Sequence, residues 1–300
     1  MESAEGGPLV SVVMNGFNTA RYLREAIDSV RAQTYPHWEI EYYDNQSEDD
    51  SEAIVASYGD ARIRMRRAPR RLPLAEGRNE AIRGARGTWI AFLDCDDVWL
   101  PTKLERQVAR IAGGVGLVYA RTMSFSARGD EGETTWQYAG RPLPEGDVVE
   151  ALLLEGNLVP IVSAMVSREA YDAVGGIPAH LTFAEDYALF VAVAARYRVA
   201  CVQEVLCRYR VHEASATYRN KLASHVEALE VLEQWAARLD PPRLAARRRV
   251  YHTLIGVEKA RAGRRAEGLR EIVTRGSIPY LLRGALSLAL RRARGRRVYS

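Results

Sequence analysis

The chain has 300 residues, 47% apolar and 27% charged, enough to bury a large core and too apolar for a disordered chain. Its formal charge of +4 conceals an uneven split: residues 241–300 carry 16 Lys or Arg against 3 Asp or Glu, a net of +13, which leaves −9 on residues 1–240. Three cysteines at no metal-ligand spacing, Cys95, Cys201 and Cys207, argue against a disulfide scaffold and point to free thiols in a reducing, cytoplasmic setting. Residues 1–8 lack the features of a secretory signal, and no apolar run reaches the ~18 to 20 residues of a membrane span.

In chain order, residues 9–14 are a branched apolar run that reads as a buried strand, followed by the turn-prone Asn15-Gly16-Phe17-Asn18. Asn18 or Thr19 caps a helix carrying Leu23, Ala26, Ile27 and Val30 at helical spacing, which stops before Pro36. Residues 38–43 are a second strand ending in Asp44-Asn45-Gln46-Ser47, a helix follows over about 49–57, and 62–66 are a third strand. A helix over 75–85 leads through Gly87 into Trp89-Ile90-Ala91-Phe92-Leu93, an apolar run that stops at Asp94-Cys95-Asp96-Asp97. The alternation predicts a parallel sheet with covering helices. Pro101 then opens a helix through Leu104, Val108 and Ile111, and 115–119 are a further strand. Residues 123–138 read as a hairpin or a loop, 147–155 as a helix and 163–166 as a strand. Gly175-Gly176-Ile177-Pro178 breaks the chain before a helix that starts near Glu185-Asp186 and runs to about Tyr197. Two short strands, 198–202 and 205–211, are expected next, and only helices from 218 onward.

The three acids fall where the central strand stops, and in open α/β sheets the crevice beyond the carboxyl ends of the strands is the ligand site. Carboxylates this close repel one another unless a cation lies between them. Asp94 and Asp96 therefore read either as a divalent-metal site with oxygen ligands or as helix caps.

More of the sequence bears on that choice. Val10-Ser11-Val12-Val13-Met14 with Phe17-Asn18, Tyr22-Leu23, Gln33-Thr34-Tyr35, Trp38-Glu39-Ile40, Asp44-Asn45-Gln46-Ser47, Arg78-Asn79, Phe92-Leu93-Asp94-Cys95-Asp96-Asp97, Trp99, Lys103-Leu104, Val174-Gly175-Gly176, Glu185-Asp186 and Tyr209-Arg210-Val211-His212 with Ser215 resemble, in order and spacing, family 2 glycosyltransferases. The resemblance covers residues 8–217. It implies a GT-A nucleotide-sugar fold, Rossmann-like, with a nucleotide-binding half at 8–120 and an acceptor half carrying the catalytic base at 121–217; residues 218–300 form a basic helical extension.

Under that resemblance Asp44 accepts a hydrogen bond from the ring N–H of a nucleotide base, Phe17 packs on the base, and Asn18 and Arg78 line the donor pocket. Asp94 lies near the ribose. Asp96 ligates Mg²⁺ or Mn²⁺ with His212 as the second metal or diphosphate contact, Arg210 pairs with phosphate, and Asp97 caps the next helix. Asp186 is the candidate base that takes the acceptor hydroxyl's proton in an inverting transfer, with Glu185 orienting it. Two departures stand out: Asn15-Gly16 replaces the Pro and small residue usual in the family, and 123–138 carries no family signature.

The implied donor is a UDP-sugar, with dTDP- and GDP-sugars open, and the acceptor a glycan or lipid-linked glycan. A sugar-1-phosphate nucleotidyltransferase shares the strand-end acids but wants a basic, Gly-rich phosphate loop after the first strand, which Asn15-Gly16-Phe17-Asn18 does not supply. A binding module without turnover is the non-enzymatic rival. Arg247, Arg248, Arg249, Arg264, Arg265 and the arginines of 291–297, beside Tyr280, Leu281, Leu282, Leu286 and Leu290, suit either peripheral contact with the inner face of an anionic membrane or a packed appendage with a solvated basic tip. Nucleic acid is not an expected partner, because no aromatic stacking pattern accompanies the arginines.

Overall fold

In the computed structural model, which describes residues 7–126, 129–134, 138, 140–212 and 220–282, the first apolar run forms β1 (Val10–Gly16). The next two strands are β2 (Trp38–Asp44), buried throughout, and β3 (Ile63–Arg67). The central run gives β4 (Trp89–Phe92). Between them lie α1 (Ala20–Arg31), α2 (Ser51–Ala56) and α3 (Leu74–Gly84). Helix α1 buries Leu23, Ala26, Ile27, Ser29 and Val30, one face of a 3.6-residue repeat packed on the sheet.

After the central strand the chain departs from the expected pattern in several places. A two-residue β5 (Val98–Trp99) precedes α4 (Lys103–Val108). Strand β6 (Val115–Ser126) runs well past Tyr119, because its second half pairs antiparallel with β7 (Gly129–Glu133) in a hairpin. Helix α5 (Val149–Glu155) leads to β8 (Met165–Ser167) and to an unexpected α6 (Arg168–Ala173), capped by the Ser167 hydroxyl, which accepts the Ala170 N–H at 3.1 Å. Helix α7 (Glu185–Ala194) follows. Where two strands are expected there is one, β9 (Arg198–Arg210). Gln203 and Glu204 do not interrupt it; they are accommodated as a bulge between the pairs Ala120 with Val202 and Arg121 with Val205.

The sheet order is β3-β2-β1-β4-β8-β6-β9-β5, with β7 beside β6. Strands β3, β2, β1 and β4 are mutually parallel, and so are β6 and β9. Strand β8 lies antiparallel between β4 and β6, and β5 lies antiparallel on β9. The expected nucleotide and acceptor halves therefore share one mixed α/β sheet.

Strand β2 buries two carboxylates that nothing in the apolar pattern announces. Glu39 accepts from the Ser11 hydroxyl at 2.7 Å and pairs with Arg64 at 3.2 Å and Arg86 at 2.7 Å; Glu41 pairs with Arg64 at 3.0 Å and Arg66 at 2.5 Å. Buried charge is tolerated when it is paired and hydrogen-bonded, and these acids tie β1, β3 and the end of α3 to the interior strand.

The chain divides into two compact units, Met1–His212 and Glu213–Ser300. The second is helical through its described residues: α8 (Lys221–Gln234), α9 (Pro241–Arg261) and α10 (Arg265–Arg275). Asp240 caps α9 by accepting the Arg243 N–H at 3.0 Å. Helices α9 and α10 meet backbone to backbone, since a Cβ on Gly256 would lie 2.6 Å from Ile272 Cγ1 and 2.7 Å from the Gly268 carbonyl oxygen. Glu271 joins them by pairing with His252 at 2.8 Å and accepting from Lys259 at 2.7 Å. Among the described residues no helix is long and apolar enough to cross a membrane. Ser215, Leu286, Leu290 and the arginines of 291–297 lie outside the described residues.

Gly87 admits the chain to β4 at a point with no room for a side chain. Its N–H donates to Ser11 Oγ at 2.7 Å, and a Cβ there would lie 2.6 Å from the Leu9 carbonyl oxygen and 2.7 Å from Ser11 N. Gly87→Ala is expected to lower the unfolding free energy by about 1–3 kcal/mol. The check is a lowered urea midpoint at constant m-value, and an unmoved midpoint would show that the backbone yields freely.

Candidate active site

Parallel pairing sets Gly16 beside Asp44 and Phe92 beside Val13, and Leu93 N–H continues the ladder to the Val13 carbonyl at 3.1 Å. Three loops, Phe17-Asn18, Asp44 to Ser47 and Asp94 to Asp97, therefore leave the sheet at one carboxyl edge.

On the β1 and β2 side, Asp44 is fully buried. Its two carboxylate oxygens accept the Ser47 N–H at 3.1 and 3.3 Å, and it pairs with Arg67 at 3.2 Å. Ser47 Oγ accepts the Asn18 N–H at 2.9 Å, while Asn18 Oδ1 accepts the Glu48 N–H at 2.8 Å. Asn18 holds a left-handed backbone, φ 53°, so neither it nor Thr19 caps α1 with its own side chain. The caps come from across the crevice: Asp49 accepts the Ala20 N–H at 2.9 Å, and Ser51 Oγ accepts the Thr19 N–H at 3.0 Å. Phe17 is half-buried and carries the Arg71 guanidinium 2.9 Å from its ring centroid. Asn45 fixes the following loop by exchanging hydrogen bonds with the Leu72 backbone, both at 2.9 Å. Arg67 and Arg71 escape a reading by motif; the doublets Arg66-Arg67 and Arg70-Arg71 are the only sequence signal for them.

Arg78, on α3, is buried and makes the central contact. Its Nη2 donates to Asp94 at 2.7 Å, and its Nη1 donates to Glu185 at the start of α7. The neighbouring Asn79 donates to the Ile177 carbonyl at 2.8 Å and accepts the Ile177 N–H at 3.1 Å, holding the segment that leads into α7. Asp186, part-exposed, accepts the Tyr187 N–H at 2.6 Å and the Asn157 amide at 3.2 Å. Asn157 has no distinguishing sequence context beyond following Gly156, which ends α5. Burial raises Asp186 above the ordinary carboxylate range, partly offset by Arg78 and by its backbone hydrogen bond. Burial likewise lifts Glu185, Arg78 pulls it back, Asp186 pushes it up again, and the balance stands at about 7.

Asp94 and Asp96 are both part-exposed, whereas Asp97 is fully buried. Asp96 Oδ2 lies 2.8 Å from His212 Nε2, and the His212 ring lies against Tyr22 with centroids 5.5 Å apart. Burial and the nearby Asp94 raise Asp96, with His212 opposing. One sequence expectation is corrected here. Asp97 caps no helix: it accepts the Arg210 N–H at 2.8 Å, far from the start of α4 at Lys103. The Arg210 Nε donates to the Asp96 carbonyl at 2.7 Å, its Nη2 pairs with Glu25, and its guanidinium lies over Tyr22 and Phe125 at 4.3 and 4.4 Å. It clamps the acidic loop from behind.

Among the described residues no three His, Cys, Asp or Glu side chains close around a common point. The donor set at the loop nevertheless suits a hard cation that keeps open positions for phosphate oxygens, since such ions are commonly held by one or two carboxylates plus substrate. Asp96 and His212 in contact, with Asp94 beside them, are the residues that would hold such an ion.

A mixed α/β sheet with acids gathered at the carboxyl ends of β2 and β4 defines the class of GT-A nucleotide-sugar domains. Glycosyl transferase family 2 matches residues 11–175, and the chain belongs to that family. It is 38% identical over 101 residues to the UDP-Glc:alpha-D-GlcNAc-diphosphoundecaprenol beta-1,3-glucosyltransferase WfgD of Escherichia coli, a match covering 34% of this chain and 40% of that protein. It is 38% identical over 103 residues to the putative teichuronic acid biosynthesis glycosyltransferase TuaG of Bacillus subtilis, covering 34% and 41%. The matched region thus spans about two-fifths of these relatives' length. In fold it is similar to the mannosyltransferase PcManGT of Pyrobaculum calidifontis, solved with GDP-Man and Mn²⁺, at TM-score 0.62 and 19% identity over 95% of this chain and 81% of that one. A second likeness is S. aureus TarS 1–349 with UDP-GlcNAc, at TM-score 0.59 and 14% identity over 89% and 91%.

A carboxyl whose value is higher in the folded chain than in the unfolded one binds its proton more tightly when folded. For Glu185 the resulting stability is complete below about 4.5 and is lost as pH rises toward about 7. Glu185→Gln is expected to flatten the decline in stability across that window, measured by urea unfolding at a series of pH values. An unchanged slope would contradict the raised Glu185 value.

Proposed function

We propose that this chain transfers a sugar from a nucleoside-diphosphate sugar, most naturally a UDP-sugar, to a hydroxyl of a glycan or lipid-linked acceptor, with inversion at the anomeric carbon. The observation that carries the reading is the Arg78 bridge between Asp94 and Glu185, which draws the donor-side acid and the acids of α7 into one cluster at the ligand edge of the sheet. The relatives' names support the substrate classes: one acts from UDP-Glc on a diphosphoundecaprenol-linked sugar.

In this reading Asp44 and Phe17 recognise the base, with Asn18 shaping the loop beneath it, and Asp94 faces the ribose. Arg71, already over Phe17, forms the outer wall of the base pocket. Asp96 and His212 would hold Mn²⁺ or Mg²⁺, whose chemistry when bound is to stabilise negative charge on the departing nucleoside diphosphate. Arg210 serves as a positioning residue through the Asp96 carbonyl and Asp97. Asp186 removes the proton from the acceptor hydroxyl as that oxygen attacks. The Asn157 amide fixes one of its oxygens and the Tyr187 N–H the other, while Glu185, held by Arg78, sets the start of α7. Raising Asp186 by burial brings it closer to the range where a carboxylate is an effective base near neutral pH.

Asp186→Asn is expected to lower transfer by a factor of about 10²–10⁴ while UDP with Mn²⁺ still raises the melting temperature. Retained turnover would remove Asp186 as the base. If no nucleotide-sugar in a UDP, dTDP and GDP panel stabilises the protein, the donor assignment fails; if chelation leaves UDP affinity unchanged, the metal role of Asp96 fails.

Peripheral membrane contact belongs to the same reading. In the second unit Leu269 and Val273 are each 63% exposed, one turn apart on α10, near Arg270 and Arg275. Leu269→Glu with Val273→Glu is expected to reduce co-sedimentation with anionic vesicles at least several-fold. Equal pelleting of the variant, or no pelleting of the wild type, would leave the appendage reading.

A further inference from the structure

The arginines of β3 serve acids on both faces of the sheet, because successive side chains of a strand point to opposite sides. Arg64 and Arg66 reach Glu39 and Glu41. Arg67, the last residue of β3, stands in parallel register with Asp44, the last residue of β2. Its Nη1 lies 3.2 Å from Asp44 Oδ2 and 3.0 Å from Glu52 on α2, and its Nη2 donates to the Ser47 carbonyl at 3.0 Å. One guanidinium thus holds both ends of the turn from Asp44 to Ser47. Among the described residues it is the one cation paired with Asp44. The other tie across the turn is the Ser47 N–H, 3.1 Å from Asp44 Oδ2 and 3.3 Å from Oδ1. Two donors therefore converge on Oδ2, and Oδ1 keeps most of its capacity to accept. The same turn is fastened to the loop that carries Phe17, since the Asn45 N–H donates to the Gly16 carbonyl at 2.7 Å.

We propose that Arg67 is a positioning residue for base recognition: it fixes the Asp44 turn and, as the counter-charge of a fully buried carboxylate, keeps Asp44 an acceptor only, so that the pocket takes a base with a ring N–H and refuses cytosine. The inference rests on the reading of Asp44 as the base contact. An ionised carboxylate has no proton to give, so it matches the N3–H of uracil or thymine and the N1–H of guanine and opposes the bare N3 of cytosine. With no cation beside it, burial favours the neutral form of a carboxyl, and a neutral carboxyl can donate to that nitrogen. Removing Arg67 therefore weakens the match to uracil and improves the match to cytosine. The Arg67 side chain is 42% exposed and shares its charge with Glu52, which limits the effect to the scale of one charge-assisted hydrogen bond.

The test is calorimetric titration of UDP and of CDP, each with Mn²⁺, into the full chain and its variants, read as the ratio of the two affinities. The wild type is expected to bind UDP at least about tenfold more tightly than CDP. Arg67→Met is expected to weaken UDP by about tenfold and to leave CDP within about twofold, so that the preference collapses. Arg67→Lys, which keeps the charge, is expected to restore part of it. In an Asp44→Asn background, where the amide offers both a donor and an acceptor, adding Arg67→Met is expected to leave the ratio where it was. Equal losses for UDP and CDP in Arg67→Met would reduce Arg67 to a support of the loop. A ratio that shifts as much in the Asp44→Asn background would show that Arg67 does not act through Asp44. If Arg67→Met does not fold, Arg67→Gln takes its place with the same expectation, since its amide keeps a donor for the Ser47 carbonyl without the charge. A wild type that binds UDP no better than CDP overturns this inference alone. A wild type that binds none of UDP, dTDP and GDP defeats the donor reading, and the inference with it.

Discussion

The buried guanidinium of Arg78 is the interaction on which the site depends. It is held by α3, and it reaches Asp94 at the end of β4 and Glu185 at the start of α7, elements separated in sequence by a hairpin, three helices and two strands. Removing one member of a buried charge set leaves the others unpaired in a poor solvent for charge, a loss of several kcal/mol, so the three groups hold one another at fixed positions. Without the guanidinium the acids of β4 and α7 would repel. With it, the donor edge and the candidate base are parts of one arrangement.

One cation does not neutralise that neighbourhood. Asp94, Asp96, Asp97, Glu185 and Asp186 stand against Arg78 and Arg210, with His212 beside Asp96. Mutual repulsion and burial therefore push Asp96, Asp97, Glu185 and Asp186 upward together. Such a surplus is costly in a resting protein and useful in one that receives a cationic or proton-donating ligand. The proposed metal and the acceptor hydroxyl are ligands of those two kinds.

Much of the first half was legible, because parallel strands buried on both faces leave continuous apolar runs and helices between them leave a 3.6-residue stripe. Residues 9–14, 38–43, 62–66 and 89–93 each mark a strand within a few positions. The strand-end acids were visible for the same reason, since an abrupt change from apolar to charged is a local signal. What stayed hidden was non-local. The caps of α1 come from Asp49 and Ser51 across the crevice, so the preference of Asn18 and Thr19 for cap positions was no guide. Asp97 sits where a helix cap is expected, yet it accepts the N–H of Arg210, more than a hundred residues on. β9 looked like two strands because a bulge and a turn both place polar residues between apolar runs. Asn157 and Arg71 acquire meaning only through partners far along the chain.

The antiparallel strand β8 has a bearing on how the protein is made. It is only three residues long, yet it separates β4 from β6, and it is synthesised well after both. Until Met165–Ser167 have left the ribosome, one edge of β4 has no neighbour, and the first half of β6, which pairs only with β8 and the later β9, has none on either side. Exposed edges of that kind template pairing with other chains. Completion of the sheet waits later still, for β9, which pairs with both β6 and β5 and is translated after the α7 acids that Arg78 engages.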